Sequence, residues 1–360
     1  MLFRSLSRSF AVVVACASAL CGSASAQTKE LAGAGSSAAA PVYKVWAAEY
    51  AKVRGGESLT YAAVGSSAGM AKVRSREVDF GGSDIVGSAQ ELERDGLVMI
   101  PTVVTGIVPV VNLPQVSNAT LKLSGEVLAA IFLGSVTRWD ADAIKALNPG
   151  MPLPALPIRR VVREDGSGTT FHFTDYLSRV SPDWKTQHGV ANKVQWKGEV
   201  LAAKGSADVA KTIRSTVGSI GYIDYNYVLD DGLVGVALRN ADGQFVTAGP
   251  EGFREAVSRS DWYAKGDFLS SISNSAGARS WPITMGTFVA VPRVAKQTDR
   301  AERALRFITW SYLNGDALAR EARFVPLPTR VQANAYREIS KITGAAGEPL
   351  GAKVLSSLMK

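Results

Sequence analysis

Three short turns rich in glycine and hydroxyl side chains could hold an anion. The tetrapeptide Gly-Ser-Ser-Ala stands at residues 35–38 and again at 65–68, and Asp-Gly-Ser-Gly-Thr-Thr stands at 165–170. Glycine lets the backbone approach a ligand closely, and the first N–H groups of a helix lack internal partners and carry the positive end of the helix dipole. If each turn opens a helix, the three turns together offer hydroxyl and N–H donors to a tetrahedral oxyanion.

One basic side chain stands beside the third turn. Arg163 precedes that turn by two residues, and a guanidinium group matches a tetrahedral oxyanion through its paired N–H donors. A single serine turn is more simply explained as an N-cap that stabilises its helix by about 1 kcal/mol. Three such turns and an arginine in one chain favour a ligand site over three separate caps.

Known nucleotide and hydrolase motifs fit these turns poorly. Gly33, Gly35 and Ala38 match the dinucleotide pattern, but barely six residues of an exported chain precede them to form the required strand. Residues 205–212 resemble a P-loop, yet Ala210 stands where the second glycine is needed. Ser167 lacks the glycines that a nucleophile elbow places two residues before and after its serine.

The two histidines suggest no metal or catalytic chemistry. His172 and His188 form no metal-spaced cluster with each other or with carboxylates, so surface or packing roles are the simpler interpretation. The sequence therefore predicts an anion-binding protein with no metal, no cofactor and no catalytic residues, which is not an enzyme.

Residues 1–26 have the features of a secretory signal peptide. Two arginines precede an apolar run of about ten residues and a small-residue triplet that ends at Ala26. The run is too short for a membrane-spanning helix, which needs about 20 residues. A lipoprotein leader cleaved before Cys16 is the alternative, but the run before Cys16 is very short. Cleavage after Ala26 would remove both cysteines, Cys16 and Cys21, and send a chain without disulfides to the periplasm.

The charge pattern gives no sign of a nucleic-acid partner. Two of the 40 basic residues lie in the leader, which leaves 38 basic against 32 acidic residues in the exported chain. They are scattered, without a basic run or an RNP-type aromatic signature. This modest excess is consistent with a weak general attraction for anions.

The pattern of apolar runs indicates the elements that must position the three turns. Short β-prone runs alternate with helical stretches, which predicts an α/β fold with largely parallel strands. The thirty-residue offset of the first two turns is about one β-α-β unit, which would place both turns at the carboxyl edge of neighbouring strands. Longer apolar runs at 100–113 and 281–291 suit buried or crossing strands, 300–322 reads as an amphipathic helix, and the length predicts two domains.

Six segments follow one another along the chain between residues 33 and 227. They are GAGSSAAAPVYKVW (33–46), GSSAG (65–69), VDFGGSD (78–84), RWDADAIKALNPG (138–150), VVREDGSGTTF (161–171) and SIGYIDYNY (219–227). Together they resemble the periplasmic phosphate-binding proteins (PstS-like) of phosphate ABC importers. The resemblance implies a type II-like clamshell of two α/β lobes joined by crossing strands, with phosphate bound in the cleft. The expected lobes are residues 27–103 with 284–360, and residues 104–283.

The resemblance also implies which residues bind phosphate. Ser37 would donate its hydroxyl and Ala38 its backbone N–H, while Ser66 would supply a second helix terminus. The second lobe would supply the remaining donors, and Asp165 would hold the arginine among them in place; these donors are Arg163, Ser167, Gly168 and Thr169. The chain departs from the family at 37–39, where Thr, Phe and Pro are usual, so apolar shielding of the ligand is reduced.

Asp84 resembles the family carboxylate that accepts a hydrogen bond from the ligand. Considered alone, an aspartate after Ser83 would be a turn or N-cap residue. In a dry anion site, however, a carboxylate is tolerated only if the anion has a proton to share, as phosphate does at neutral pH and sulfate does not. Unpaired buried polar groups can discriminate between ligands by factors of about 10⁴–10⁵, so Asp84 is the expected basis of selectivity.

These features predict a periplasmic, monomeric solute-binding protein that captures inorganic phosphate and delivers it to an integral-membrane ABC permease. One alternative is an extracellular interaction or phosphate-sensing protein that has kept the same fold. Another is an envelope phosphatase, whose signature would be a metal cluster or a nucleophile. The residues do not separate phosphate from arsenate.

Overall fold

The structure is a computed structural model that describes residues 30–53 and 58–358. The predicted signal peptide and both cysteines lie outside the described residues, so cleavage after Ala26 stays a prediction. Within the described ranges, no helix combines the length and the apolar character needed to cross a lipid bilayer.

Helices and strands alternate along the chain, as the pattern of apolar runs predicted. The strands are β1 Leu31–Gly35, β2 Leu59–Ala63, β3 Phe80–Ser83, β4 Leu97–Asn112, β5 Lys122–Leu123, β6 Arg159–Arg163, β7 Leu201–Ala203, β8 Ser219–Asp224, β9 Val234–Gly235, β10 Ala237–Arg239, β11 Phe245–Val246, β12 Thr284–Pro292, β13 Val294–Ala295, β14 Val325–Pro326 and β15 Thr343–Gly344. The helices are α1 Ala40–Val53, α2 Ser66–Arg74, α3 Ala89–Asp95, α4 Gly125–Leu133, α5 Asp142–Lys145, α6 Gly168–Val180, α7 Pro182–Gln187, α8 Gly205–Ser215, α9 Tyr225–Asp230, α10 Pro250–Ser258, α11 Asp261–Ala264, α12 Thr298–Asn314, α13 Asp316–Glu321, α14 Thr329–Ser340 and α15 Leu350–Leu358.

One large sheet has the strand order β2-β1-β3-β12-β4-β8-β6-β7, and β9 and β14 pair with β4. We call β1, β2, β3 and β12 the first half-sheet, and β6, β7 and β8 the second half-sheet. Within each half, the β1–β2, β1–β3, β6–β7 and β6–β8 pairs are parallel. Strands β12 and β4 run antiparallel to their neighbours, so the prediction of largely parallel pairing holds at the two ends of the sheet and is wrong in the middle.

Strand β4 joins the two half-sheets. Its residues 97–106 pair with β12, and its residues 107–112 pair with β8. All but the last of its residues are buried, which explains why the run is almost continuously apolar. The strand predicted over 100–113 is therefore confirmed, with its start three residues earlier.

The amphipathic helix predicted over 300–322 is two helices, α12 and α13, separated at Gly315. The Trp46 indole N–H donates to the carbonyl oxygen of Gly315 at 2.9 Å. A Cβ atom at position 315 would lie 2.5 Å from that indole nitrogen, so the tryptophan needs a glycine there. The break follows from a contact with a residue 269 positions away, which helical periodicity does not reveal.

The strand ends bring the serine-rich turns to one edge of the sheet. Gly35 at the end of β1 is in register with Ala63 at the end of β2, so the first two turns start side by side, as predicted. Helix α2 begins at Ser66 directly after its turn, whereas α1 begins only at Ala40. The third turn runs from the end of β6 to α6, whose N-cap Ser167 accepts a hydrogen bond from the Thr170 N–H at 3.1 Å.

Candidate anion-binding site

The three serine-rich turns meet between the two half-sheets. The Ser67 N–H donates to the Gly166 carbonyl oxygen at 3.2 Å, and the Ser67 hydroxyl accepts from the Asn192 amide at 3.0 Å. The sequence thus identified three turns that share one place in the fold. Each turn reaches it from the carboxyl end of a strand, where ligand sites of α/β sheets usually lie.

Arg163 is held at this place by Asp165, as the resemblance implied. The guanidinium is 3% exposed, and its Nε and Nη2 donate to the two carboxylate oxygens of Asp165 at 2.7 and 2.6 Å. Burial acts to raise the pKa of Asp165, but the guanidinium outweighs it and holds that pKa below its ordinary value. The pair is therefore ionised, and Nη1, which does not contact Asp165, donates to the Ser206 hydroxyl at 3.5 Å.

Asp84 lies at the end of β3 and is 2% exposed. Its Oδ2 accepts hydrogen bonds from Ser36 at 2.7 Å and from Ser66 at 3.3 Å. Its Oδ1 is buried and has no hydrogen-bond partner among the described residues. Burial raises the pKa of Asp84 to about 7, the Ser36 hydrogen bond opposes this rise, and the nearby charge of Asp224 adds to it. One carboxylate oxygen is thus left for a ligand or for a proton.

Asp224, at the end of β8, is a second buried carboxylate that the sequence reasoning missed. Its oxygens accept hydrogen bonds from the Ser206 hydroxyl at 2.6 Å and from the Thr169 hydroxyl at 3.1 Å. Burial raises its pKa, while the Ser206 hydrogen bond and the Arg163 charge lower it. A carboxylate at the carboxyl end of an apolar strand, inside the resembling segment 219–227, was a signal that could have identified it.

Ser206 is the other residue that the sequence reasoning missed. Its hydroxyl proton goes to Asp224, so in its 3.1 Å contact with Ser37 the Ser37 hydroxyl is the donor. The Ser206 N–H in turn donates to the Ser37 Oγ at 3.2 Å. The segment 205–212 is not a P-loop, but the start of α8 does contribute to this site. The Ser37 hydroxyl is bonded across the cleft in this arrangement.

The remaining predicted residues also lie here. Ala38 is buried in the turn between β1 and α1, and Gly168 and Thr169 are the first residues of α6. A Cβ atom added to Gly168 would lie 2.5 Å from the Cβ of Asp84, so the N-terminus of α6 packs directly against the Asp84 segment. All nine predicted residues therefore lie within one cluster of contacting turns: Ser37, Ala38, Ser66, Asp84, Arg163, Asp165, Ser167, Gly168 and Thr169.

The cluster is suited to bind an oxyanion with a proton. The N-termini of α2 and α6 supply N–H groups that lack intrahelical partners, and Arg163 supplies a positive charge. In the described ranges, no three His, Cys, Asp or Glu side chains are grouped so that they could hold a metal ion.

Comparison with known proteins identifies the family. The sequence model of the PBP superfamily domain matches residues 22–313. Phosphate-binding protein PstS of Xylella fastidiosa strain Temecula1 is 40% identical over 314 residues, which cover 86% of each chain. Phosphate-binding protein PstS of Haemophilus influenzae is 39% identical over 307 residues, which cover 85% of this chain and 91% of that one.

Solved structures show the same fold. A high-affinity periplasmic phosphate-binding protein (PfluDING) bound with phosphate superposes with a TM-score of 0.70 at 19% identity, over 90% of this chain and 97% of that one. The phosphate-binding protein from Stenotrophomonas maltophilia superposes with a TM-score of 0.64 at 20% identity, over 84% and 92%. These likenesses confirm the predicted two-lobed α/β periplasmic-binding-protein fold. The chain therefore belongs to the PstS family of phosphate-binding proteins within the PBP superfamily.

Proposed function

We propose that this protein binds inorganic phosphate between its two lobes and is the solute-binding component of a phosphate ABC importer. The observation that carries this proposal is the unpartnered Oδ1 of Asp84 beside an arginine and two helix N-termini. A free carboxylate oxygen together with an arginine and helix N–H groups suits an oxyanion that is both negatively charged and protonated. The names of the curated relatives support the same ligand.

The proposed binding residues are those that the resemblance implied. Backbone N–H groups and the guanidinium Nη1 donate to the phosphate oxygens, and Asp165 keeps the guanidinium oriented. The Ser37 hydroxyl turns from Ser206 to the phosphate when the ligand binds. Asp84 accepts the phosphate proton. The proposed ligand contacts are Ser37, Ala38, Ser66, Asp84, Arg163, Ser167, Gly168 and Thr169.

Asp84 gives the site its selectivity. Hydrogen phosphate dianion has one P–O–H group, which can donate to the otherwise unpartnered Oδ1. Sulfate has no such proton at neutral pH, so its bare oxygens would face an ionised carboxylate in a buried site. Repulsion between unpaired buried charges of like sign is costly, and that cost excludes sulfate.

Lobe closure completes the site. We propose that residues 27–103 and 284–360 form the first lobe and residues 104–283 the second. Donors come from both lobes, so the closed form binds phosphate better than the open form and the ligand shifts the population toward closure. A permease that recognises the closed form would then receive only loaded protein.

We also propose where the protein acts and with which partner. The signal peptide is cleaved after Ala26, the protein acts in the periplasm as a monomer, and its partner is an integral-membrane ABC permease. Its role is binding and delivery without turnover. An interaction role on the same fold would be distinguished by the absence of phosphate affinity, and a phosphate-sensing role by binding without delivery to a permease.

Isothermal titration of the mature protein, stripped of bound anion by partial unfolding and dialysis, tests the proposal. We expect saturable one-to-one binding of phosphate and no heat from sulfate at the same concentration. Folded protein that is silent toward phosphate would contradict the proposed function. In that case, the departures at residues 37–39 would favour the interaction-protein alternative.

A further inference from the structure

His172 makes a direct bond across the cleft. It lies in α6, which follows the second half-sheet strand β6, and its Nε2 is 2.6 Å from the backbone carbonyl oxygen of Asp84 at the end of β3. The side chain is 9% exposed. From the sequence alone, His172 was expected only at the surface or in packing, yet it contacts the residue proposed to select the ligand.

The chemistry of this contact fixes the tautomer of the ring. A carbonyl oxygen can only accept, so Nε2 is the nitrogen that carries the proton. Nδ1 is buried and has no hydrogen-bond partner among the described residues, and burial lowers the pKa of the ring, opposed by the bond to Asp84. The charged groups near it are Asp175, which acts to raise this pKa, and Arg179, which acts to lower it. His172 is therefore a neutral Nε2–H donor at pH 7.

We propose that His172 is a positioning residue that fixes the Asp84 segment against α6 when the lobes close. The bond is made to the backbone of the same residue whose Oδ1 is left for the ligand. Holding that carbonyl sets where Oδ1 lies relative to the N-terminus of α6, which Gly168 brings against Asp84. This inference rests on the proposed phosphate site and adds a residue that does not itself touch phosphate.

Two substitutions separate the hydrogen bond from packing. His172→Phe keeps an aromatic ring of similar size, including its edge contact with Phe171, but removes the donor. His172→Gln retains an amide N–H near the position of Nε2. The control is His188→Phe. His188 packs against Trp184 and Trp196 in the second lobe, away from Asp84.

Titration calorimetry with phosphate, and with sulfate as competitor, should rank these variants. We expect His172→Phe to weaken phosphate binding by about tenfold or more. The substitution leaves the buried Asp84 carbonyl without a hydrogen-bond donor, and this lowers the stability of the closed, phosphate-bound form by roughly that factor. It should also narrow the ratio of phosphate to sulfate affinity, which loss of packing alone would not do. His172→Gln should recover most of both quantities, and His188→Phe should match the wild type.

Wild-type affinity and selectivity in His172→Phe would overturn the inference. So would equal losses in His172→Phe and His172→Gln with an unchanged phosphate-to-sulfate ratio. Absence of phosphate binding by the wild type would instead overturn the proposed function itself, so the two failures are distinguishable.

Nitrogen NMR of the histidine rings in the wild type tests the same inference without a substitution. We expect His172 to be the neutral Nε2–H tautomer in the presence of phosphate, and its nitrogen shifts to change when phosphate is removed and the lobes open. His188 serves as the internal reference. Nitrogen shifts of His172 that do not change with phosphate would contradict the proposal. So would a proton on Nδ1 in the phosphate-bound form.

Discussion

At the scale of single residues, the site carries less positive charge than expected of a protein site that binds an anion. The guanidinium of the site, Arg163, is paired with Asp165, while Asp84 and Asp224 add two buried carboxyl groups. Attraction for an anion must therefore come largely from N–H and O–H donors and from helix dipoles, and each helix dipole contributes about 0.3–1 kcal/mol. On the proposed function, such a site favours an anion that brings a proton.

Replacement of Asp84 by Asn tests this selectivity. The amide removes the negative charge but keeps the shape, so we expect Asp84→Asn to retain phosphate binding and to admit sulfate at concentrations that the wild type ignores. Competition titration measures both. Asp242→Asn is the matched control, because Asp242 is exposed in a turn. Undiminished rejection of sulfate by Asp84→Asn would remove Asp84 from its proposed role.

If Asp84 keeps its buried surroundings without ligand, the free energy of unfolding should depend on pH through the same group. Burial raises the pKa of Asp84 from 3.8 to about 7, so between these values the folded state binds more protons than the unfolded state. The free energy of unfolding should then fall as pH rises through this window, by about 1.4 kcal/mol per pH unit from this group alone. Burial also raises the pKa of Asp224, which acts in the same direction.

Urea unfolding at pH 5 and pH 8, without phosphate, measures this contribution. Asp84→Asn has no carboxyl to ionise, so it should gain stability relative to the wild type on going from pH 5 to pH 8. Asp242→Asn should not. A difference between Asp84→Asn and the wild type that is the same at both pH values would show that Asp84 ionises normally in the folded protein.

At the scale of elements, the site depends on how closely the N-terminus of α6 approaches the end of β3. Gly168 is the point of contact, where an added Cβ would lie 2.5 Å from the Cβ and the Oδ2 of Asp84 and 2.8 Å from the Ser66 hydroxyl. Contacts this short require the elements to separate. The glycine is therefore needed for closure as well as for access of the ligand to the helix N–H groups.

Gly168→Ala should consequently weaken phosphate binding by about tenfold or more, because it opposes the closed form, while the melting temperature of the ligand-free protein changes little. Gly249→Ala is the control, since Gly249 also begins a helix but has nothing within 4 Å of an added Cβ. Calorimetry and thermal unfolding measure the two quantities. Equal phosphate affinity in both variants would mean that α6 and Asp84 are not in contact in the bound state.

The elements that could be predicted from sequence were those with local signatures. Glycine and serine residues identified the three turns, because turns favour these residue types. A continuous apolar run identified β4, because a strand that is buried on both faces has apolar residues throughout. The break at Gly315 could not be predicted because its cause is Trp46, which is distant in sequence. Ser206 and Asp224 were missed because each matters only through a partner on another element.

At the scale of the whole molecule, direct contacts span the cleft. They include the Ser37 to Ser206, Ser67 to Gly166 and His172 to Asp84 bonds, each between segments that follow strands of different half-sheets. Among the strands of residues 30–53 and 58–358, β4 alone pairs with both half-sheets. In the proposed closure these protein-to-protein bonds join the two lobes, and the Ser37 hydroxyl exchanges its bond to Ser206 for one to phosphate. The resemblance to the family implied closure but not these bonds.

Small-angle X-ray scattering of the mature protein, first stripped of anion and then given phosphate or sulfate, tests the central claim most directly. We predict a smaller radius of gyration with phosphate and an unchanged profile with sulfate, because only an anion that carries a proton satisfies both Asp84 and the donors of the two lobes. Superimposable profiles under all three conditions, or equal closure by sulfate, would contradict the account.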